Sequence, residues 1–367
     1  MAFLCFQLHS DSSPSPSNKV ASFSHNNSCS CTKWADLRPD FQKLFLHIEC
    51  MFGAKQVAIN YGMVADNLPP PAQVVQLMKS KNIQNIRLFN PNPDALNALR
   101  GSGIQVILGV VNLDLINLAS SPAAAASWVQ TNVAPYAADI TFRCIAAGNE
   151  IPIPSDLSGY LIPAMHNLKA ALNAANFKIP VSTAGYGLWL DNTYPPSATT
   201  WNNSAAPVTG QIAQFLQNYS YPMLVNAYPF FAYSGNPKEI RLDYALGNAT
   251  EVVVHDGDLG YKNLLDAMVD GWYAALEKSG GPNVEVIVSE TGWPSAGADI
   301  ATMAYAQTHN NLVVSRVHAG KGTPKRPISA VDIYLFAMFN EDQKPAGTEQ
   351  NFGLFHPDMS AVYHIDW

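Results

Sequence analysis

Three glutamates sit where apolar runs of the chain end. Glu150 follows 141–148 (TFRCIAAG) after Asn149; Glu290 directly follows 284–289 (VEVIVS); Glu341 follows 331–339 (VDIYLFAMF) after Asn340. A carboxylate at the end of a buried strand is costly unless it is paired, solvated or used. One such residue reads most simply as a solvent-facing strand end. Three of them suggest a shared rim. Two carboxyls across a cleft are what hydrolysis of a glycosidic bond requires. One must be protonated, to donate to the leaving oxygen. The other must be ionised, to attack the anomeric carbon or to activate water. Lys344 and Glu349 follow Glu341 closely, and a cation beside carboxylates favours their ionised form. Asparagines beside an acid, here Asn149 and Asn340, can hydrogen-bond the sugar hydroxyl next to the reacting carbon.

Aromatic residues gather near the same run ends: Tyr61, Phe89, Tyr186, Trp189, Tyr228, Phe230, Phe231, Tyr233 and Trp293. Sugar rings present apolar C–H faces that stack on aromatic planes. Any one of these side chains also fits a core. The cluster at 228–233 (YPFFAY) is harder to bury whole. Tyr61, Phe89, Phe231, Tyr233, Trp293 and Asn340 are the expected substrate contacts. Other motifs read more plainly. His255-Asp256-x-Asp258 fits a turn and helix cap better than a metal site. His309 and His318 read as surface residues of one helix, and 321–326 (KGTPKR) as a solvated basic loop. Cys29-x-Cys31 has no second pair nearby to complete a metal site. No metal and no cofactor is expected.

The elements that must carry these residues follow a regular alternation. Apolar, β-branched runs lie at 57–61, 85–89, 105–111, 141–148, 179–184, 223–228, 284–289 and 331–339. They are continuous rather than alternating, as strands buried on both faces should be. Helical patterns fall between them, for example 71–80, 121–134, 157–175 and 263–278. Pro71 and Pro122 suit a first helical turn, and Gly280 a helix end. Eight strand–helix units predict a (β/α)8 TIM barrel, in which chemistry sits at the C-terminal ends of the strands. An open doubly wound sheet is the rival fold. However, Asn60-Tyr61-Gly62-Met63 stands where a dinucleotide-binding G-x-G-x-x-G would follow the first strand. A Schiff-base barrel enzyme would need a strand-borne lysine, and these runs contain none.

Composition narrows the class. Charged residues make up 13% of the 367 and hydrophobic ones 48%, too apolar for a disordered chain. The net charge of -7 is the wrong sign for a nucleic-acid partner. No apolar run is long enough to span a membrane, and a monomer is expected. Residues 1–56, rich in Ser and Asn, read as an N-terminal extension expected to be disordered, apart from a short helix over 41–52. Residues 57–367 read as one catalytic domain. Four of the five cysteines fall in the extension; Cys144, inside an apolar run, reads as a buried, inert thiol. Three sequons, at Asn202, Asn218 and Asn248, lean toward a secreted protein.

With these residues in place, the chain from Val57 to Trp367 resembles the plant glucan endo-1,3-β-glucosidases of glycoside hydrolase family 17. The matching stretches are INYG (59–62), NLPPP (67–71), AAGNE (146–150), NAYPFFAY (226–233), VSETGWPSAG (288–297), FAMFNEDQK (336–344) and NFGLF (351–355). The resemblance implies a (β/α)8 barrel, a retaining endo-hydrolase of β-1,3-glucan, and a defence role in plants. It implies that Glu290 is the nucleophile and Glu150 the general acid/base. Glu341, Lys344 and Glu349 would be supporting charges, with Tyr228 near the nucleophile. It also implies a cell-wall or vacuolar location, although residues 1–56 do not look like a secretory peptide. No carbohydrate-binding module or lipid-anchor tail is expected after Trp367. Phe89 stands where many members carry Tyr, and the Lys344–Glu349 spacing is one residue shorter than in some. Cleavage of mixed 1,3-1,4-β-glucan, or glucan binding without catalysis, are the alternative readings. A retaining mechanism requires carboxyls about 5–5.5 Å apart, against about 6.5–9.5 Å for inversion.

Overall fold

The computed structural model describes residues 57–367. The expected disorder of 1–56, the helix at 41–52 and the reading of Cys29 and Cys31 lie outside these residues.

The eight apolar runs all form strands: β1 (Ala58–Tyr61), β2 (Asn85–Leu88), β3 (Gln105–Val110), β4 (Phe142–Asn149), β5 (Val181–Tyr186), β6 (Met223–Asn226), β7 (Val286–Thr291) and β8 (Ile333–Leu335). They pair in parallel and in sequence order, and β1 closes the barrel on β8. The last run is shorter than the 331–339 expected. Beyond Leu335 the backbone leaves the ladder. Ala337 N–H donates to Phe352 O and Met338 N–H to Asn60 O. Glu341 therefore rises from an irregular segment above β8, not from a strand end.

Helices cover the strands: α1 (Pro71–Ser80), α2 (Pro93–Leu99), α3 (Asp114–Ser120), α4 (Pro122–Asn132), α5 (Leu161–Ala174), α6 (Ala206–Tyr219), α7 (Pro229–Gly235), α8 (Leu242–Leu246), α9 (Leu264–Lys278) and α10 (Met303–His318). Pro71 and Pro122 open α1 and α4, as their fixed φ allows. Asn263 and Thr302 accept from the third residues of α9 and α10, each satisfying a donor the helix leaves open. Among the described residues no helix is long and apolar enough to cross a membrane.

Strand alternation sorts the core into two layers. Ile59, Ile86, Leu88, Leu108, Val225 and Val288 face the helices and join the main cluster. Ala58, Ile107, Cys144, Ala146, Ala184, Leu224, Ile287 and Tyr334 form a separate, smaller cluster inside the barrel. The reading of Cys144 holds: it is buried and unpaired by disulfide, and desolvation pushes its thiol up to about 12.

Two readings are corrected here. His309 is not a surface residue but 2% exposed. Its Nδ1 lies 3.3 Å from Leu246 O and its ring packs on Trp293. His318, on the same helix, is exposed. Nor is 321–326 a solvated loop. Lys325 and Arg326 pair with Glu277, Arg326 lies over the Tyr273 ring, and Lys325 N–H donates to the buried Asp270. The His255–Asp258 segment is a turn as expected, within the antiparallel hairpin 254–256/259–261, where Asp256 accepts from Ser197.

Candidate active site

The C-terminal ends of the strands surround a cleft of about 980 Å³. Glu150 enters it from β4. Its φ of +50° is a left-handed conformation that non-glycine residues adopt at a cost of about 1–3 kcal/mol. The strain is held by the bonds around it. Glu150 N–H donates to Ala184 O at 2.9 Å. Asn112 brackets the preceding residue, giving its Nδ2 proton to Asn149 O at 2.9 Å and accepting Asn149 N–H on Oδ1 at 2.8 Å.

Glu290 enters from β7 and is 6% exposed. Three side chains donate to it, each over 2.8 Å: Arg87 Nη1 and Asn226 Nδ2 to Oε1, and Tyr228 OH to Oε2. Burial pushes its carboxyl up to about 7; Arg87 pulls it down, Glu150 raises it further, and Tyr228 and Lys344 favour the ionised form. Burial and the neighbouring Glu290 raise the Tyr228 hydroxyl well above its ordinary value, so it stays a donor.

One atom joins the two acids. Asn226 Nδ2 lies 2.8 Å from Glu150 Oε1 and 2.8 Å from Glu290 Oε1. Those two oxygens are therefore at most about 5.6 Å apart, below the about 6.5–9.5 Å that an inverting pair needs to admit water.

Glu341 lines the same cleft from the segment above β8 and is 2% exposed. Its carboxylate accepts Val64 N–H at 2.8 Å and pairs with Lys344 at 3.0 Å. Gly62 makes room for it, because a Cβ there would meet both carboxylate oxygens at 2.5 Å. Lys344 Nζ also lies 4.1 Å from the Phe336 ring centroid.

Ten of the thirteen expected site residues line this one cleft: Glu150, Glu290, Asn149, Tyr228, Glu341, Lys344, Glu349, Tyr61, Phe89 and Phe231. Phe89 also carries the Arg87 guanidinium 4.7 Å from its ring centroid. One expected contact, Trp293, is corrected, and two others, Tyr233 and Asn340, lie outside this lining. Trp293 is fully buried, gives its indole N–H to Ile300 O, and packs on Phe230, Tyr233 and Tyr305. Tyr233 lies against Trp293 outside the cleft lining. Asn340 spends its carbonyl on Gly353 N–H.

Two residues central to the site were missed. Arg87, 1% exposed, donates to Glu290, Asn149 and Asn226. Asn226 touches both acids. Each is a polar residue at a buried position of an otherwise largely apolar strand, Arg87 in NIRL and Asn226 in MLVN. A buried charge or amide that costs this much to desolvate was the available signal.

A parallel barrel with paired carboxyls in an open cleft above its strands defines a glycoside hydrolase of the barrel type. The chain belongs to the glycosyl hydrolases family 17, whose model matches residues 57–367. It is 44% identical over 321 residues to a glucan endo-1,3-beta-glucosidase of Vitis vinifera, covering 86% of this chain and 92% of that one. It is 44% identical over 314 residues to Lichenase-2 of Hordeum vulgare, covering 85% and 99%. It superposes with a TM-score of 0.82 on a structure from a study of two plant beta-glucan endohydrolases with distinct substrate specificities, at 44% identity, covering 85% and 100%.

Proposed function

We propose that this chain hydrolyses internal 1,3-β-D-glucosidic linkages with retention, Glu150 acting as acid/base and Glu290 as nucleophile. The observation that carries the mechanism is the Asn226 amide within 2.8 Å of both carboxyls. That spacing admits direct attack and leaves little room for an intervening water. Glu290 receives three donors, one of them a guanidinium; Glu150 receives Asn226 alone among the bonds described. The donors on Glu290 offset part of the burial that raises it and so favour its ionised form.

In the first step a Glu290 oxygen bonds to the anomeric carbon. The glycosidic bond breaks with its electron pair on the leaving oxygen, which takes the Glu150 proton. In the second step Glu150 removes a proton from water, the water oxygen bonds to the anomeric carbon, and Glu290 leaves as carboxylate. Tyr61, Phe89, Tyr186 and Phe231 offer apolar surface to the sugars. Lys344, held by Glu341, adds positive charge at the wall. Asn149 and Glu349 complete the polar lining.

The grape relative's name supports the 1,3-linkage. The barley relative's name, and the distinct specificities in the matched structure's title, support a second reading: cleavage of mixed 1,3-1,4-β-glucan. A cell-wall or vacuolar setting belongs to the same proposal, and exposed sequons at Asn218 and Asn248 are compatible with it.

The deciding experiment incubates the full chain separately with linear β-1,3-glucan and with mixed 1,3-1,4-β-glucan, following product anomers by NMR. Short β-anomeric oligosaccharides from the first alone, abolished in Glu290→Ala, are the expected outcome. Release from the mixed glucan alone selects the second reading. Initial α-anomers would overturn the retaining mechanism.

A further inference from the structure

The amide of Asn226 faces a hydrogen-bond count that does not close. Its orientation is fixed by donors on its oxygen: Arg87 Nη1 at 3.2 Å and Ser289 Oγ at 2.8 Å both point at Oδ1. A guanidinium has no acceptor, so the amide cannot be the other way round. Nδ2 then meets three acceptors: Asn149 Oδ1 at 3.0 Å, Glu150 Oε1 at 2.8 Å and Glu290 Oε1 at 2.8 Å. An amide nitrogen carries two protons. Asn149 Oδ1 already accepts from Arg87 Nη2 at 2.8 Å, and is the acceptor whose loss from Nδ2 costs least.

We propose that Asn226 is a positioning residue whose amide bonds both carboxyls and stabilises negative charge on whichever one holds it. The inference rests on the acid/base and nucleophile roles given above. In the first step negative charge leaves Glu290 as it becomes an ester and arrives on Glu150 as it loses its proton. In the second step the charge returns. A donor near one carboxyl alone would favour one step and oppose the other. A donor at 2.8 Å from both stays bonded to the anion throughout, with no movement of the chain.

The amide does this in a site whose other charges are fixed. Arg87 from β2, Tyr186 at the end of β5, Tyr228 after β6, and Glu341, Lys344 and Glu349 beyond β8 face the pair of acids. Arg87 reaches Glu290 and not Glu150 among the bonds described. It holds charge at one end only.

The test is the pH profile of kcat/KM for Asn226→Ala and Asn226→Ser on β-1,3-glucan, with Glu290→Ala and Glu150→Ala alongside. Removing a donor shared by the anions predicts a fall in kcat of about 10- to 100-fold. KM changes little, and the acidic limb moves up by about one pH unit. Pre-steady-state kinetics on an aryl glucoside with a poor leaving group, whose departure needs the Glu150 proton, are expected to show both formation and breakdown of the glycosyl–enzyme slowed. Binding of oligosaccharide by either Asn226 variant controls for folding, and the serine, which can donate to one carboxyl, is expected to recover part of the rate. An unmoved acidic limb, or slowing of a single step, would sink the inference while leaving the roles of the acids intact. If Glu290→Ala or Glu150→Ala keeps full activity, it is the underlying assignment that fails.

Discussion

At the residue scale the site is a contest between burial and donors. Glu290 is enclosed deeply enough for its carboxyl to reach about 7, against its ordinary 4.5. The folded chain therefore holds that proton more tightly than the unfolded chain. Its contribution to stability is full below about 4.5 and is lost as pH rises through about 7. Glu290→Gln removes this loss. Denaturation midpoints are expected to improve, variant relative to parent, as pH is raised across that window, by on the order of 3 kcal/mol in total. Its kcat is expected to fall by about 10⁴-fold or more. A difference that does not grow with pH would refute the burial account. Arg87→Met strips the buried carboxylate of its cation. Urea titrations above neutral pH should show a loss of about 3–5 kcal/mol, shrinking as pH falls and Glu290 takes up its proton.

At the element scale, the stretch after a strand decides whether an aromatic residue meets substrate or core. After β6 the chain turns straight into α7, and two adjacent phenylalanines part company: Phe230 is 2% exposed and Phe231 45%. After β7, Gly292 passes close to Phe336 O and Trp293 turns inward behind the cleft. The two positions should respond oppositely. Trp293→Ala opens a void in packed core and is expected to cost about 3–5 kcal/mol in thermal or chemical unfolding. Phe231→Ala is expected to leave stability within about 0.5 kcal/mol and to raise KM for β-1,3-glucan several-fold. Equal losses of stability at both positions would contradict this division.

At the scale of the whole molecule, two buried titrating groups pull stability in opposite directions with pH. His309 anchors α10 to the end of α8 and backs Trp293. Desolvation lowers it from 6.5 to about 4, so the folded chain keeps it neutral while the unfolded chain protonates. Its contribution is full above about 6.5 and is lost as pH falls toward 4. Glu290 acts in the reverse sense. His309→Leu should flatten the acid side of the stability profile. Calorimetric midpoints between pH 6.5 and 4 would show it, and a profile that falls as steeply as the parent's would argue against the assignment.

What the sequence determined by itself was the periodicity and its consequences. Eight continuous apolar runs separated by helical patterns admit few folds, because strands buried on both faces need helices to cover them. Glu150 and Glu290 were legible as well, because a carboxylate at the end of such a run is costly and therefore conspicuous. Lys344 and Glu341 were legible by proximity along the chain. Only the closed barrel could decide distances between strands far apart in sequence. Arg87 and Asn226 lie 139 positions apart, and Asn226 and Glu290 64, yet β2, β6 and β7 aim them at one point. Which way Trp293, Tyr233 and Asn340 turn was also settled in three dimensions. A loop residue's direction depends on the volume its neighbours leave, and no local pattern encodes that volume.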